Sequence, residues 1–172
     1  MKKSKNCFNN YKIQNTFWLK LQQFKFDLIY YNLHFERCMF IIKVMNYSLL
    51  LICVTALIKN WSTWLTKLCT LISLLTFYFG GISKLLPYEK RKEEIIKMTN
   101  GLDPLYVKME ADWRKISNGE MTLIEIEKKL AYYEKQQLKI KNKYFNDDVL
   151  PYRTKLEEKA SKLTDEYFQI FK

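Results

Sequence analysis

Turn-forming residues are scarce in this sequence. Its 172 residues include only 4 glycines and 3 prolines, which is too few for the closely spaced turns of a β-sandwich or a β-barrel. Leu, Lys, Ile and Glu are abundant instead. This composition predicts an all-α protein.

Residues that commonly carry catalysis or bind metals are also scarce. His34 is the only histidine, and the four cysteines are widely spaced without a Cys-x-x-Cys pair, so the sequence offers no zinc-binding set. Gly80-Gly81 lies inside an apolar run, and no glycine-rich phosphate-binding loop is present. We interpret His34 as an interfacial histidine beside Glu36 and Arg37. We predict a protein that is not an enzyme and uses no cofactor or metal.

Two long apolar runs dominate the first half of the chain. Residues 39–58 contain one charge, Lys43, and residues 64–86 carry Lys67 and Lys84 only near their ends. About 20 apolar residues in a helix cross the hydrocarbon core of a bilayer. Buried helices of a soluble bundle are the alternative, but such helices are usually shorter. We therefore predict a two-helix transmembrane hairpin over residues 39–86.

Positive charge flanks the predicted hairpin. Lys and Arg total 29 against 18 Asp and Glu, a net charge of +11. Residues 1–38 hold seven basic and two acidic side chains, whereas the linker between the two spans has only Lys59. The positive-inside rule then places both termini in the cytoplasm of a multi-pass inner-membrane protein. Residues 87–172 hold 18 basic and 16 acidic side chains, so the expected partner is the lipid bilayer and not nucleic acid.

Residues 1–38 have the pattern of an amphipathic cytoplasmic helix. Large apolar side chains alternate at steps of four and three, which forms one seam along a helix. Such a helix either packs on a partner or lies in the headgroup layer, and the sequence favours neither. The seam consists of Phe17, Leu21, Phe24, Leu28, Tyr31 and Phe35.

Residues 87–172 predict a cytoplasmic helical bundle or coiled coil. A charged helix is expected from Tyr88 to about Asn100, where Gly101 and Pro104 should interrupt it. A second apolar stripe, Leu105 to Ile116, should end at Ser117-Asn118-Gly119. The last helix should follow a break at Asn146-Asp147-Asp148 and Pro151, with one apolar side formed by Leu156, Ala160, Leu163, Tyr167 and Ile170.

The helix between these two has the strongest start signal in the chain. Thr122 and Glu125 have the spacing of a capping box, in which each side chain bonds the other residue's backbone N–H. An apolar seam follows, and we predict that it holds the cytoplasmic helices together and carries assembly. The predicted assembly seam consists of Ile126, Leu130, Tyr133, Ile140 and Tyr144.

Small and hydroxylated residues form a stripe along one face of the second predicted span. Such a stripe either lets helices pack closely or lines a water-filled path in an oligomer, and both interpretations stay open. In the first span, Lys43 and Asn46 are costly in lipid and should face protein, water or the interface. The stripe, called the small-residue face below, consists of Thr66, Thr70, Ser73, Thr76, Gly80 and Ser83.

The layout as a whole resembles the SLATT domain, a family of two-transmembrane effectors in bacterial nucleotide-second-messenger and conflict systems. The likeness lies in an aromatic-rich helix, a tight hairpin and a charged helical tail. Locally it lies in residues 85–94, in Leu105-Tyr106-Val107 with Trp113, and in the turn 117–119. The resemblance implies an effector in antiviral defence that forms pores or disrupts membranes. It also implies a sensor or nucleotidyltransferase partner that controls activation.

Two functions follow as hypotheses. The first is a homo-oligomeric membrane effector whose hairpins act in the bilayer and whose cytoplasmic helices control assembly. The second is a non-conducting membrane-anchored scaffold or interaction protein. The small-residue face favours the first, because a simple anchor has no need of it.

Overall fold

A computed structural model describes residues 2–57, 87–145 and 150–169. These residues form four α-helices and no strand, which confirms the predicted all-α class for the described part of the chain. The helices are α1 (Lys2–Leu57), α2 (Pro87–Ser117), α3 (Leu123–Tyr144) and α4 (Thr154–Gln169). They contribute to two compact units. The first unit contains the described residues within 1–34 and 94–172, and the second contains those within 35–93.

Helix α2 continues through both of its predicted interruptions. It runs unbroken past Gly101 and Pro104, so the expected break at these residues was wrong. A proline inside a helix costs about 3 kcal/mol or more, but the apolar stripe keeps its helical spacing across the site. Burial of that stripe offsets the cost, since its members are at most 8% exposed: Ile95, Met98, Leu102, Leu105 and Met109.

The turn between α2 and α3 forms as its residues predict. Gly119 has φ 75, a conformation that glycine adopts without strain. Its N–H donates to the Ile116 carbonyl at 3.0 Å, and the Glu120 N–H donates to the Lys115 carbonyl at 2.9 Å. This pair of bonds is the Schellman motif that ends many helices. The capping box is confirmed as well, because the Thr122 hydroxyl accepts from the Glu125 N–H while the Glu125 carboxylate accepts from the Thr122 N–H.

Helices α1 and α2 form an antiparallel pair in the first unit. The rings of Phe17 and Trp113 have centroids 6.2 Å apart, and those of Phe24 and Tyr106 are 5.7 Å apart. Residues nearer the end of α1 therefore contact residues nearer the start of α2. It follows that residue 34 of α1 and residue 94 of α2 lie at the same end of the first unit.

Helices α3 and α4 each contact both members of this pair. Tyr133 of α3 packs edge-on against Phe17, and its hydroxyl bonds Asp112 of α2. From α4, Phe168 packs edge-on against Trp18 of α1, and the Tyr167 hydroxyl donates to Glu110 of α2. The first unit is thus a four-helix bundle, and the α1 seam from Phe17 to Tyr31 lies in the chain's own core. Phe35 belongs to the second unit.

The buried side of α4 agrees with the predicted one at Ala160 and at Tyr167, which packs against the core, and departs from it at Leu163. Ala160, Thr164 and Phe168 are buried, whereas Leu163 is 36% exposed. The Thr164 hydroxyl donates to the Ala160 carbonyl at 2.7 Å, which satisfies this polar group without a partner on another helix. Thr164 and Phe168 thus take the place of Leu163 on the buried side. Ile170 and residues 146–149 lie outside the described residues.

The second unit contains residues 35–57 of α1 and 87–93 of α2. Helix α1 is continuous from the amphipathic seam into the first apolar run. Among the described residues, no helix combines the length and the apolar character needed to cross a membrane. The second predicted span, 64–86, lies outside the described residues, and the transmembrane hairpin stays a prediction.

Candidate functional site

The predicted assembly seam of α3 lies against the core of the first unit. Ile126 and Tyr133 are buried, at 0% and 4% exposure, and Leu130, Ile140 and Tyr144 are partly buried against the same core. The structure therefore brings all five seam residues to one intrachain interface. The seam holds α3 to its own chain.

A close approach of backbone to side chain fixes part of this interface. A Cβ added at Gly101 of α2 would lie 3.3 Å from Cγ2 of Ile140. A side chain at this position would push Ile140 away by a few tenths of an ångström, because carbon atoms at that distance are in tight contact. Gly101 therefore serves helix packing and not a helix break.

A buried carboxylate joins α2 to α3. Asp112 is 7% exposed, and it accepts from the Tyr133 hydroxyl at 2.6 Å and from the Lys129 ammonium at 2.8 Å. Burial opposes ionisation of Asp112, but the hydrogen bonds from Lys129 and Tyr133 outweigh it and hold the pKa of this carboxyl below its usual range. Burial and the bond to Asp112 together raise the pKa of Tyr133. We call this set the Asp112 contact.

Stability of the first unit should fall in acid through the Asp112 contact. The folded pKa of Asp112 is below the unfolded one. Its stabilising contribution is therefore complete above the unfolded value, about pH 4, and disappears as pH falls through the folded value. We expect the melting temperature followed by circular dichroism to drop over this range, and Asp112→Asn should flatten the drop.

The matched control is Asp103→Asn, which removes the same charge from an exposed position on α2. It should leave most of the acid dependence in place. An equal flattening in both variants would contradict a specific role for Asp112.

A second carboxylate joins α1 to α3. Asp27 accepts from the Lys141 ammonium at 2.5 Å and from the Gln137 amide at 3.3 Å. Burial lowers the pKa of Lys141, but Asp27 more than compensates and raises it overall. Together the two contacts use four α3 residues at steps of four, which form one polar stripe beside the apolar seam: Lys129, Tyr133, Gln137 and Lys141.

Lys25 of α1 contacts aromatic rings on both α2 and α4. The Lys25 ammonium is 3.9 Å from the centroid of the Tyr167 ring and 4.9 Å from that of Tyr106. Burial lowers the pKa of Lys25, although Glu110 and Asp103 act in the opposite direction. Cation–π contacts of this kind contribute about 0.5–2 kcal/mol. Lys25 therefore helps to fix α4 on the α1–α2 pair.

An aromatic cleft of about 330 Å³ is lined by residues of α1, α2 and α4. Trp18 contacts Trp113 with ring centroids 4.9 Å apart and Phe168 at 5.0 Å. Glu110 and Arg114 line the cleft and pair with each other at 2.9 Å. The cleft has the size and apolar walls of a small-molecule site, but its charged groups already satisfy one another.

Two of the predicted pore or packing residues are described, and both are exposed. Lys43 and Asn46 lie on α1 in the second unit. Large apolar side chains are exposed on a neighbouring face of the same helix segment, with Phe40 67%, Val44 49% and Tyr47 70% exposed. The remaining predicted residues lie outside the described ones: Thr66, Thr70, Ser73, Thr76, Gly80 and Ser83.

Metal-binding side chains do not cluster in the part of the chain that the structure describes. His34 is 3% exposed and packs edge-on against Tyr30 at 4.7 Å, so it is a core residue, and its interpretation as interfacial was wrong. Cys38 is buried, at 5% exposure. Within the described ranges no three His, Cys, Asp or Glu side chains group in a way that could hold a metal ion.

Comparison with protein-family models, curated proteins and solved structures finds no match for this chain.

Proposed function

We propose that this chain is an oligomeric membrane effector of the bacterial inner membrane. In this proposal, residues 39–58 and 64–86 are transmembrane helices, both termini lie in the cytoplasm, and the first unit is the cytoplasmic module that controls assembly. The hairpin forms pores or disrupts the bilayer. The resemblance to the SLATT domain suggests antiviral defence as the setting, with a sensor or nucleotidyltransferase as the partner.

The observation that carries the proposal is the antiparallel pairing of α1 and α2. The contacts of Phe17 with Trp113 and of Phe24 with Tyr106 put residues 34 and 94 at one end of the first unit. The segment that holds both apolar runs therefore begins and ends on the same side. A segment with this property that enters a bilayer crosses it an even number of times, which agrees with two spans and with the positive charge on both flanks.

The exposed stripe on α1 supports the same proposal. Phe40, Val44 and Tyr47 are at least 49% exposed and follow at steps of four and three, so they line up along one side of the helix. Exposed large apolar side chains in a continuous patch commonly mark contact with a protein or a membrane. The apolar run 49–57 follows the stripe along the same helix.

A non-conducting membrane-anchored scaffold is the second candidate function. The observation that favours it is the place of the α3 seam. Ile126 and Tyr133 are fully used in the intrachain core, so they do not offer an apolar surface to another copy while the bundle is folded. While the bundle is folded, copies of the effector would therefore contact one another through surfaces other than Ile126 and Tyr133.

Vesicle leakage by the full-length protein tests the proposal. Purified protein reconstituted into vesicles loaded with a fluorescent dye should release the dye, and alkaline carbonate should fail to extract the protein from the membrane. Retention in the membrane without dye release would support the scaffold instead. Extraction by carbonate would contradict both functions, because a transmembrane hairpin resists it.

A further inference from the structure

We propose that the aromatic cleft lined by α1, α2 and α4 binds a small aromatic carboxylate, with the ligand's ring against Trp18 and Trp113 and its carboxylate on Arg114. The inference concerns the first unit alone and does not depend on the membrane function proposed above. A ligand in this cleft would contact three helices of the bundle at once and hold them to one another.

The walls of the cleft are apolar and come from three helices. Leu21 of α1 and Phe168 of α4 are buried, at 0% and 5% exposure. Trp18 and Trp113 also line the cleft and are only partly buried against the core, so part of each indole remains accessible to a ligand. Aromatic rings favour stacked or edge-to-face contact with another ring. The volume of about 330 Å³ lies at the lower end of the range of about 300–1,000 Å³ for small-molecule sites, which suits a ligand of one or two fused rings.

One side of the cleft is polar. Glu110, Arg114 and Ser117 line it, and they follow at steps of four and three along α2, so they share one side of that helix. The side chain of Glu110 is 15% exposed and that of Arg114 is 70% exposed, while Ser117 is exposed as well. The Arg114 guanidinium is therefore the charged group of the cleft that a ligand entering from solvent can reach.

The hydrogen bonds on this polar side favour an anionic ligand over a cationic one. Both oxygens of Glu110 are used, since Oε1 accepts from Arg114 at 2.9 Å and Oε2 accepts from the Tyr167 hydroxyl at 3.2 Å. The ion pair satisfies this carboxylate but not the whole guanidinium, because a guanidinium has five N–H donors and the bond to Glu110 uses one on Nη2. Arginine donors commonly bind a carboxylate through two parallel hydrogen bonds. The net charge of +11 also attracts anions.

Calorimetric titration with 2-naphthoate tests the proposal, with 2-naphthylmethanol as a neutral probe that has the same ring. The full-length protein is titrated in detergent micelles, and the heat from empty micelles is subtracted. We expect 2-naphthoate to bind at least about tenfold more tightly than the alcohol, because only the carboxylate forms charge-assisted hydrogen bonds with Arg114. Equal affinities, or no binding of 2-naphthoate, would overturn the proposal.

Arg114→Gln tests the contact with the carboxylate. Because the Arg114 side chain is 70% exposed, this variant should melt close to the unaltered protein, and it should bind 2-naphthoate at least about tenfold more weakly. Lys115→Gln is the matched control, since it removes the same charge from the next residue, which is exposed and does not line this cleft. The control should keep the original affinity. Equal weakening in both variants would overturn the proposal, because the net charge would then explain the binding.

Ser117→Phe tests whether the ring of the ligand lies in the cleft. Ser117 is an exposed lining residue, and a phenyl ring there should occupy the cleft and abolish binding of 2-naphthoate. Asn118→Phe adds the same ring to the next exposed residue, outside the lining, and should bind normally. Undiminished binding by Ser117→Phe, or equal loss in both variants, would show that the ligand lies elsewhere. If Ser117→Phe unfolds, the comparison of Arg114→Gln with Lys115→Gln decides.

Discussion

Ile126→Asp should unfold the first unit. Ile126 is 0% exposed and lies in the core between α3 and the α1–α2 pair. The substitution deletes buried methyl groups, which costs about 2–5 kcal/mol, and it places a carboxylate in an apolar core, where a charge loses its hydration. The free energy of unfolding of a whole domain is only about 5–15 kcal/mol. One such change therefore removes a large part of the free energy of unfolding of the bundle.

Ile124→Asp is the matched control for this prediction. Ile124 is 65% exposed and lies two residues away in the first turn of α3, so the same substitution there should change the free energy of unfolding by about 0.5 kcal/mol or less. Thermal unfolding followed by circular dichroism measures both variants. Equal melting temperatures for Ile126→Asp and the unaltered protein would contradict the assignment of the α3 seam to the intrachain core.

Structural features that depend on neighbouring residues could be predicted from the sequence. Contacts between residues far apart in the chain could not. The capping box at Thr122 and the turn at Gly119 depend on residues within five positions of each other. The course of α2 depends on burial of its stripe against other helices, and this tertiary term overrides the local preferences of Gly101 and Pro104. An unbroken apolar spacing from Ile95 to Met109 was the signal that could have predicted one helix.

The polar contacts of α3 in the candidate site could not be predicted from the sequence either, because they join residues that are far apart in the chain. The Lys141–Asp27 pair joins residues 114 positions apart, and the Tyr133–Asp112 pair joins residues 21 positions apart. Charged residues at helical spacing are usually solvated, and the sequence carries no sign of which ones find a buried partner. The polar residues at steps of four along α3 were a usable signal that this helix makes polar contacts beside its apolar ones.

The seam prediction illustrates how one pattern serves two functions. Apolar residues at steps of three and four show which side of α3 is buried, and Ile126 and Tyr133 are buried. The pattern does not show whether the covering surface belongs to the same chain or to another copy, because the physical demand for burial is the same. In this chain the covering residues include Phe17 of α1, far away in sequence, and this contact converts a predicted assembly seam into an intrachain core.

Arg37→Pro should abolish dye release while leaving both the first unit and membrane insertion intact. Helix α1 is continuous from Lys2 to Leu57, and Arg37 is exposed just beyond residue 34, where the first unit ends. Proline there removes the hydrogen bond to the carbonyl of Leu33 and kinks or breaks the helix at a cost of about 3 kcal/mol or more. If the cytoplasmic module controls the hairpin through α1, the break should remove the coupling between them. A coupling of 1.4 kcal/mol corresponds to a factor of about ten, and we expect leakage to fall by at least about this factor.

Arg37→Ala separates this effect from loss of the charge. Alanine removes the same guanidinium and favours the helix, so the variant should leak dye like the unaltered protein. The core residues Phe17 and Phe24 lie well before the break, and both variants should therefore melt at nearly the same temperature. Full leakage by Arg37→Pro would mean that the hairpin acts without a rigid α1, and control by the cytoplasmic module would then have to pass through α2. Equal loss of leakage in both variants would instead point to the charge of Arg37 at the membrane surface, where a basic side chain attracts anionic lipid.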